Sequence, residues 1–172
     1  MQKVLGSVLV IGASSAIGYL QGINYQRYGR ELQILERLFL MLRSEIQYAN
    51  TPLREAFLHI GKKVEGLYGQ WFIELSKALE ERTGTTFFAL WKDSIDGQLG
   101  EAMLKERDIQ SLKLIGTNMG CMDKTLQLGA IDLYLSELQV RIQEVRQSIA
   151  EKRKLCNCLG VMGGIFLVIV LI

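Results

Sequence analysis

Few residues in this chain have the type and spacing for chemistry. Cys156-x-Cys158 follows directly on Lys152, Arg153 and Lys154, and two thiols beside cations could hold a metal or accept a lipid. Two positions apart on a helix, however, point about 200° away from each other, so the pair cannot grip one ion without breaking the helix. Lipidation of the two cysteines remains as a chemical alternative. His59 is the single histidine and stands between Leu58 and Ile60, where a helical pattern makes it a surface or half-buried packing residue and not a base. No P-loop, GxSxG, HExxH or DxDxDG motif occurs. The carboxylates are scattered among lysines and arginines, as on solvated faces. The expectation is a chain with no enzymatic activity, no cofactor and no metal. With Cys121, the cysteines number three, an odd and sparse set that suggests reduced thiols and no disulfide framework. A net charge of +2, with the two signs interspersed, excludes a nucleic-acid footprint.

The elements around these residues are marked by where charge stops. No charged residue lies between Val4 and Gln26 or between Leu155 and Ile172, so every acidic residue, and every basic one but Lys3, falls between Arg27 and Lys154. As helices the two ends would rise about 34 and 27 Å, against a hydrocarbon core of about 30 Å. Residues 1–26 and 155–172 are therefore expected as membrane helices flanking a domain at 27–154. Arg27 and Arg30 on one side, and Lys152 to Lys154 on the other, put the positive flanks next to that domain and assign it to the cytoplasm. A rival reading makes the N-terminal stretch a signal peptide cut after Ser14-x-Ala16. It would leave an extracytoplasmic helical binding protein with a C-terminal anchor.

Gly6, Val10, Ser14, Gly18 and Gly22 recur every four residues, as do Cys156, Gly160 and Gly164. Such stripes let another helix approach closely, which makes Ser14, Gly18, Gly22, Cys156, Gly160 and Gly164 candidates for helix packing or partner contact. The other reading is that glycine is simply common in membrane helices.

Between the ends, apolar residues recur at three and four, and proline occurs once, so the domain reads as all-α. Leu32, Leu35, Leu38, Leu42, Ile46 and Ala49 form one stripe, expected to continue back into the first membrane helix through a break at Gly29. A second helix carries Leu53, Phe57, Ile60 and Val64, with Thr51 as N-cap and Pro52 at the first helical position. Leu67 to Leu79 make a third, stopped at Thr83-Gly84, and Thr85 or Thr86 caps a fourth. After a loop near Asp96 to Glu101, Ile109 to Met119 form a fifth, ended by Gly120. The last begins near Asp123 and carries Leu126, Ala130 or Ile131, Leu135, Leu138, Ile142, Val145 and Ile149, with no proline to stop it before the C-terminal segment. A faint echo at an offset of 34 residues relates Leu38 to Phe72, Leu53 to Phe87 and Phe57 to Trp91.

The order of LGSVLVIGASSAIGYL, ANTPLREAF, IGTNMGCMD and KLCNCLGVMGGIFLVIVLI closely resembles the stage III sporulation protein AB family of endospore-forming Firmicutes, over essentially the whole chain. Pro52, Leu53 and Ala56 match that family's TPL-x-EA signature, and Gly116, Gly120 and Asp123 its G-x-x-x-G-x-x-D turn, with Cys121 a departure where a small polar residue is expected. The family is in turn similar to the inner-membrane platform proteins of type II secretion and type IV pilus systems. The resemblance implies a six-helix bundle like their cytoplasmic domain, flanked by the two membrane helices. It further implies a non-enzymatic platform in a channel-like complex between mother cell and forespore. Its expected place is the outer forespore membrane, with the bundle in the mother-cell cytoplasm. The implied partners are the other stage III operon membrane proteins and the operon's cytoplasmic ATPase; a homo-oligomer is left open.

Overall fold

The computed structural model describes residues 24–49, 51–81, 84–121 and 123–171, those from residue 152 onward in backbone alone. Among the described residues there are six helices and no strand. Helix α1 covers residues 24–44 and runs into a π-helical turn, Glu45–Ala49; α2 is Leu53–Lys63, α3 Leu67–Glu80, α4 Phe87–Gln98, α5 Glu106–Met119 and α6 Lys124–Leu171.

The chain divides into two compact units, one of Arg30–Arg141 and one of Met1–Gly29 with Ile142–Ile172. In the larger unit α2 packs on α3, α3 on α4 and α4 on α5. Its centre is aromatic: Trp71 and Trp91 lie 5.1 Å apart between ring centroids, Phe57 and Phe72 4.8 Å, and Phe39 and Tyr134 4.7 Å. Both indoles are buried with their N–H groups satisfied, Trp91 donating to the Leu112 carbonyl at 2.8 Å and Trp71 to Ser94 Oγ at 3.0 Å. Leu32, Leu35, Leu38 and Leu42 form the buried stripe of α1, each contributing about 1.5–3 kcal/mol relative to exposure. In the smaller unit Tyr28 and Val145 are buried, and a Cβ placed on Gly29 would meet Val145 Cγ1 at 3.2 Å.

Several local expectations are corrected. α1 passes through Gly29 without a break. The N-cap of α2 is Pro52, not Thr51; the Thr51 hydroxyl donates to Glu45 Oε2 at 3.0 Å and its N–H to the Glu45 carbonyl at 3.3 Å, closing the π turn. Val64 lies just outside α2, in extended backbone. Of the two threonines before α4, Thr86 is the cap, accepting the Ala89 N–H at 3.3 Å. α4 continues through Gln98, so the loop begins later than Asp96, and Leu126 is 53% exposed instead of core.

Candidate functional site

The residues singled out by sequence motif lie where helices end or touch. Pro52 has no N–H to leave unsatisfied at the start of α2, and its carbonyl accepts the Ala56 N–H at 3.0 Å. Ala56 is fully buried, while Leu53 is half-buried in the wall of an open cleft of about 490 Å³ shared with Pro52, Leu79 and Phe87. Arg54, also at this cleft, reaches Glu80 at 3.5 Å, and its carbonyl accepts from Ser76 Oγ at 3.0 Å. The TPL-x-EA segment thus joins α2 to the end of α3.

Gly116, Gly120 and Asp123 do not form one turn. Gly116 is inside α5, where a Cβ would stand 2.2 Å from Trp91 Cδ1, so glycine is what allows the indole to lie against the helix backbone. Gly120 caps α5, with Phe87 Cβ 2.9 Å from where its own Cβ would be. Asp123 begins α6, accepting the Thr125 N–H at 2.8 Å and its hydroxyl at 2.5 Å; these bonds hold its carboxyl below the usual carboxylate range. Cys121, between them, is a free half-buried cysteine.

Sequence reading missed the glycines of the α2–α3 crossing. A Cβ on Gly61 would be 2.7 Å from Ile73 Cγ1, and one on Gly69 only 1.7 Å from the Val64 carbonyl oxygen. It also missed the polar groups with the most buried settings. Asp108, with no exposure, accepts Arg141 Nη1 at 2.9 Å and the Lys105 N–H at 3.1 Å. Arg141 goes on to Ser111 Oγ at 2.7 Å and Glu137 at 3.2 Å. Tyr68 donates to Glu31 at 2.5 Å, and burial, then this bond, push its phenol well above the ordinary range. Both arrangements join helices and leave no acid or base poised in a cavity.

His59 has a half-exposed side chain and stands 3.8 Å from Glu45, which also meets Lys63 at 3.6 Å. Among the described residues no group of three or more histidine, cysteine or acidic side chains could hold a metal. Among the residues whose side chains are described, which end at Glu151, no helix is long and apolar enough to cross a membrane. Of the residues in the two expected membrane segments, Ser14, Gly18 and Gly22 lie outside the described residues, and of Cys156, Gly160 and Gly164 only the helical backbone is described.

Comparison with known proteins places this helical arrangement. Residues 3–172 match the family described as stage III sporulation protein AB. The stage III sporulation protein AB of Bacillus subtilis (strain 168) is 27% identical over 171 residues, covering 99% of both chains. A solved structure of stage III sporulation protein AB (SpoIIIAB) superposes with a TM-score of 0.65 at 24% identity, over 72% of this chain and 97% of that one; it shares the fold. With a family match that runs from the third residue to the last, the chain belongs to the stage III sporulation protein AB family.

Proposed function

We propose that this protein is a non-enzymatic platform in a secretion-like channel complex between mother cell and forespore. In this reading its helical bundle docks a cytoplasmic ATPase, and its two uncharged ends bind membrane partners. The observation that carries the reading is the family match over residues 3–172. Three features of the chain support it. The buried charges of the bundle are spent on each other, as in Asp108 with Arg141. The positive flanks at Arg27, Arg30 and Lys152 to Lys154 both adjoin the bundle, which favours a cytoplasmic bundle. Helix α6 is uninterrupted to Leu171, as a helix entering a bilayer would be.

The likeness to type II secretion and type IV pilus platform proteins belongs to the same proposal, as does placement in the outer forespore membrane. The stripes Ser14–Gly18–Gly22 and Cys156–Gly160–Gly164 would then pack these segments against each other or against channel subunits. A cysteine at the exposed Lys92 of α4, in a chain with its native cysteines replaced by serine, tests the orientation. The expected result is no labelling by an impermeant maleimide in intact sporulating cells and full labelling after lysis. Labelling in intact cells overturns the platform.

A further inference from the structure

The outward face of α1 is left with a line of uncovered apolar side chains. Ile34 is 39% exposed, Leu40 45% and Tyr48 79%. Ile34 stands about two turns before the half-buried Met41 on α1, and Met41 and Tyr48, the latter on the π turn that follows, both face one groove. Towards its C-terminal end this face becomes an open groove of about 390 Å³, walled by Arg37, Leu40, Met41, Tyr48 and Lys63. The π turn Glu45–Ala49 carries Tyr48, and such turns are frequent at functional sites.

The charge of the groove is one-sided. Glu45 is engaged by Thr51, just ahead of α2, at 3.0 Å and by Lys63 at the end of α2 at 3.6 Å. Arg37 is exposed, has Gln33, Ile34, Leu40 and Met41 as its helical neighbours, and meets no carboxylate within ion-pair distance among the described residues. Two cations against one anion leave the groove positive, with Arg37 beside the apolar line.

We infer that this face binds an amphipathic helix of a protein partner, one that lays an apolar ridge along Ile34, Met41 and Tyr48 and sets a carboxylate against Arg37. An apolar line at helical spacing ending in a groove fits the helix-in-groove mode of recognition, and charge complementarity selects an acidic occupant. A second copy of this chain is disfavoured, because a two-fold interface sets a patch against itself and would bring Arg37 towards its own equivalent. The inference rests on the platform reading only in taking the bundle as a binding module.

The test uses the full chain in phosphatidylcholine nanodiscs and two fluorescent 18-residue helical peptides. They share one leucine ridge, flanked by glutamates in one and lysines in the other. Anisotropy should show the glutamate peptide bound at least about tenfold more tightly. Arg37→Glu should reverse the preference, Tyr48→Ser should weaken the glutamate peptide about tenfold, and Leu133→Ser on the outward face of α6 should change nothing. Equal binding of the two peptides, no effect of Arg37→Glu, or an equal loss with Leu133→Ser overturns the proposal. So does conversion of a dimer to a monomer by Tyr48→Ser in sedimentation, which assigns the face to a second copy. Protection of Tyr48→Cys from a soluble maleimide by phosphatidylserine nanodiscs without peptide assigns the face to the membrane and overturns the proposal equally. Failure of the peptides with Lys92→Cys still protected in intact cells sinks the groove alone, whereas labelling at Lys92→Cys sinks the platform and leaves the peptide result standing.

Discussion

Asp108→Ala is expected to be among the most damaging single truncations of a polar side chain in the bundle. Asp108 has no exposure, and its principal partner Arg141 keeps only 13% of its side chain exposed. Removing one member of a buried pair costs about 3–5 kcal/mol, because the other charge stays buried without compensation. Here Glu137 at 3.2 Å and Ser111 at 2.7 Å still hold the guanidinium, which favours the lower end. The lost acceptor for the Lys105 N–H at the start of α5 adds about 1 kcal/mol. The total of about 3–4 kcal/mol is a large fraction of an ordinary domain's 5–15 kcal/mol, and at a urea m-value of about 2 kcal/mol/M it moves the midpoint by roughly 1.5–2 M. Trp71 and Trp91, both fully buried, make intrinsic fluorescence the natural readout. Asp108→Leu combined with Arg141→Met should recover most of the loss, since an apolar pair of similar volume removes the stranded charge. A midpoint shift under about 0.3 M for Asp108→Ala, or a double variant whose loss is the sum of the two singles, would refute the reasoning.

Gly116→Ala should cost about 2–3 kcal/mol by overpacking, since the new methyl would stand 2.2 Å from Trp91 Cδ1; thermal unfolding with near-ultraviolet circular dichroism reads both the stability and the displaced indole. Asp132→Ala, by contrast, should cost under about 1 kcal/mol although Asp132 meets Arg43 at 2.5 Å, because the two side chains are 49% and 32% exposed; a larger loss in urea would mean that the pair is better shielded than its exposure implies. The folded-state pKa of Asp123 is depressed, so its contribution is present above the unfolded value of about 3.9 and is lost as pH falls through the folded one. Asp123→Asn should flatten the fall of Tm across that window, and an unchanged acid limb would exclude the Thr125 contacts as its cause.

Much of the helical order was legible because local signals agreed with the fold. Pro52 and Thr86 mark the starts of α2 and α4, Leu53 and Phe87 open these helices, and Phe57 and Trp91, paired by the 34-residue echo, are both fully buried. What escaped depended on partners far along the chain. That Asp108 is buried follows from Arg141, 33 residues away, and nothing near Asp108 distinguishes it from a solvated helix-start carboxylate. Leu126 continues the apolar period of α6 yet remains exposed, since periodicity says which side a residue faces and not whether anything covers it. Gly29 reads as a breaker in isolation and serves as a contact point for Val145. The π turn carries no composition signal, so Tyr48 could be placed on a helix but not on a groove. The same limit held for Gly116, Gly120 and Asp123, which the family resemblance joined in one turn and whose partners lie on α4 and at the start of α6.

That the bundle is a docking platform is tested most directly by binding between the purified full chain in nanodiscs and the cytoplasmic ATPase proposed as its partner. The expected result is a saturable complex that survives removal of nucleotide turnover and is lost when the bundle is replaced by an unrelated helical domain between the same two ends. No complex with the intact chain, or an equal complex with the bundle replaced, would contradict the platform.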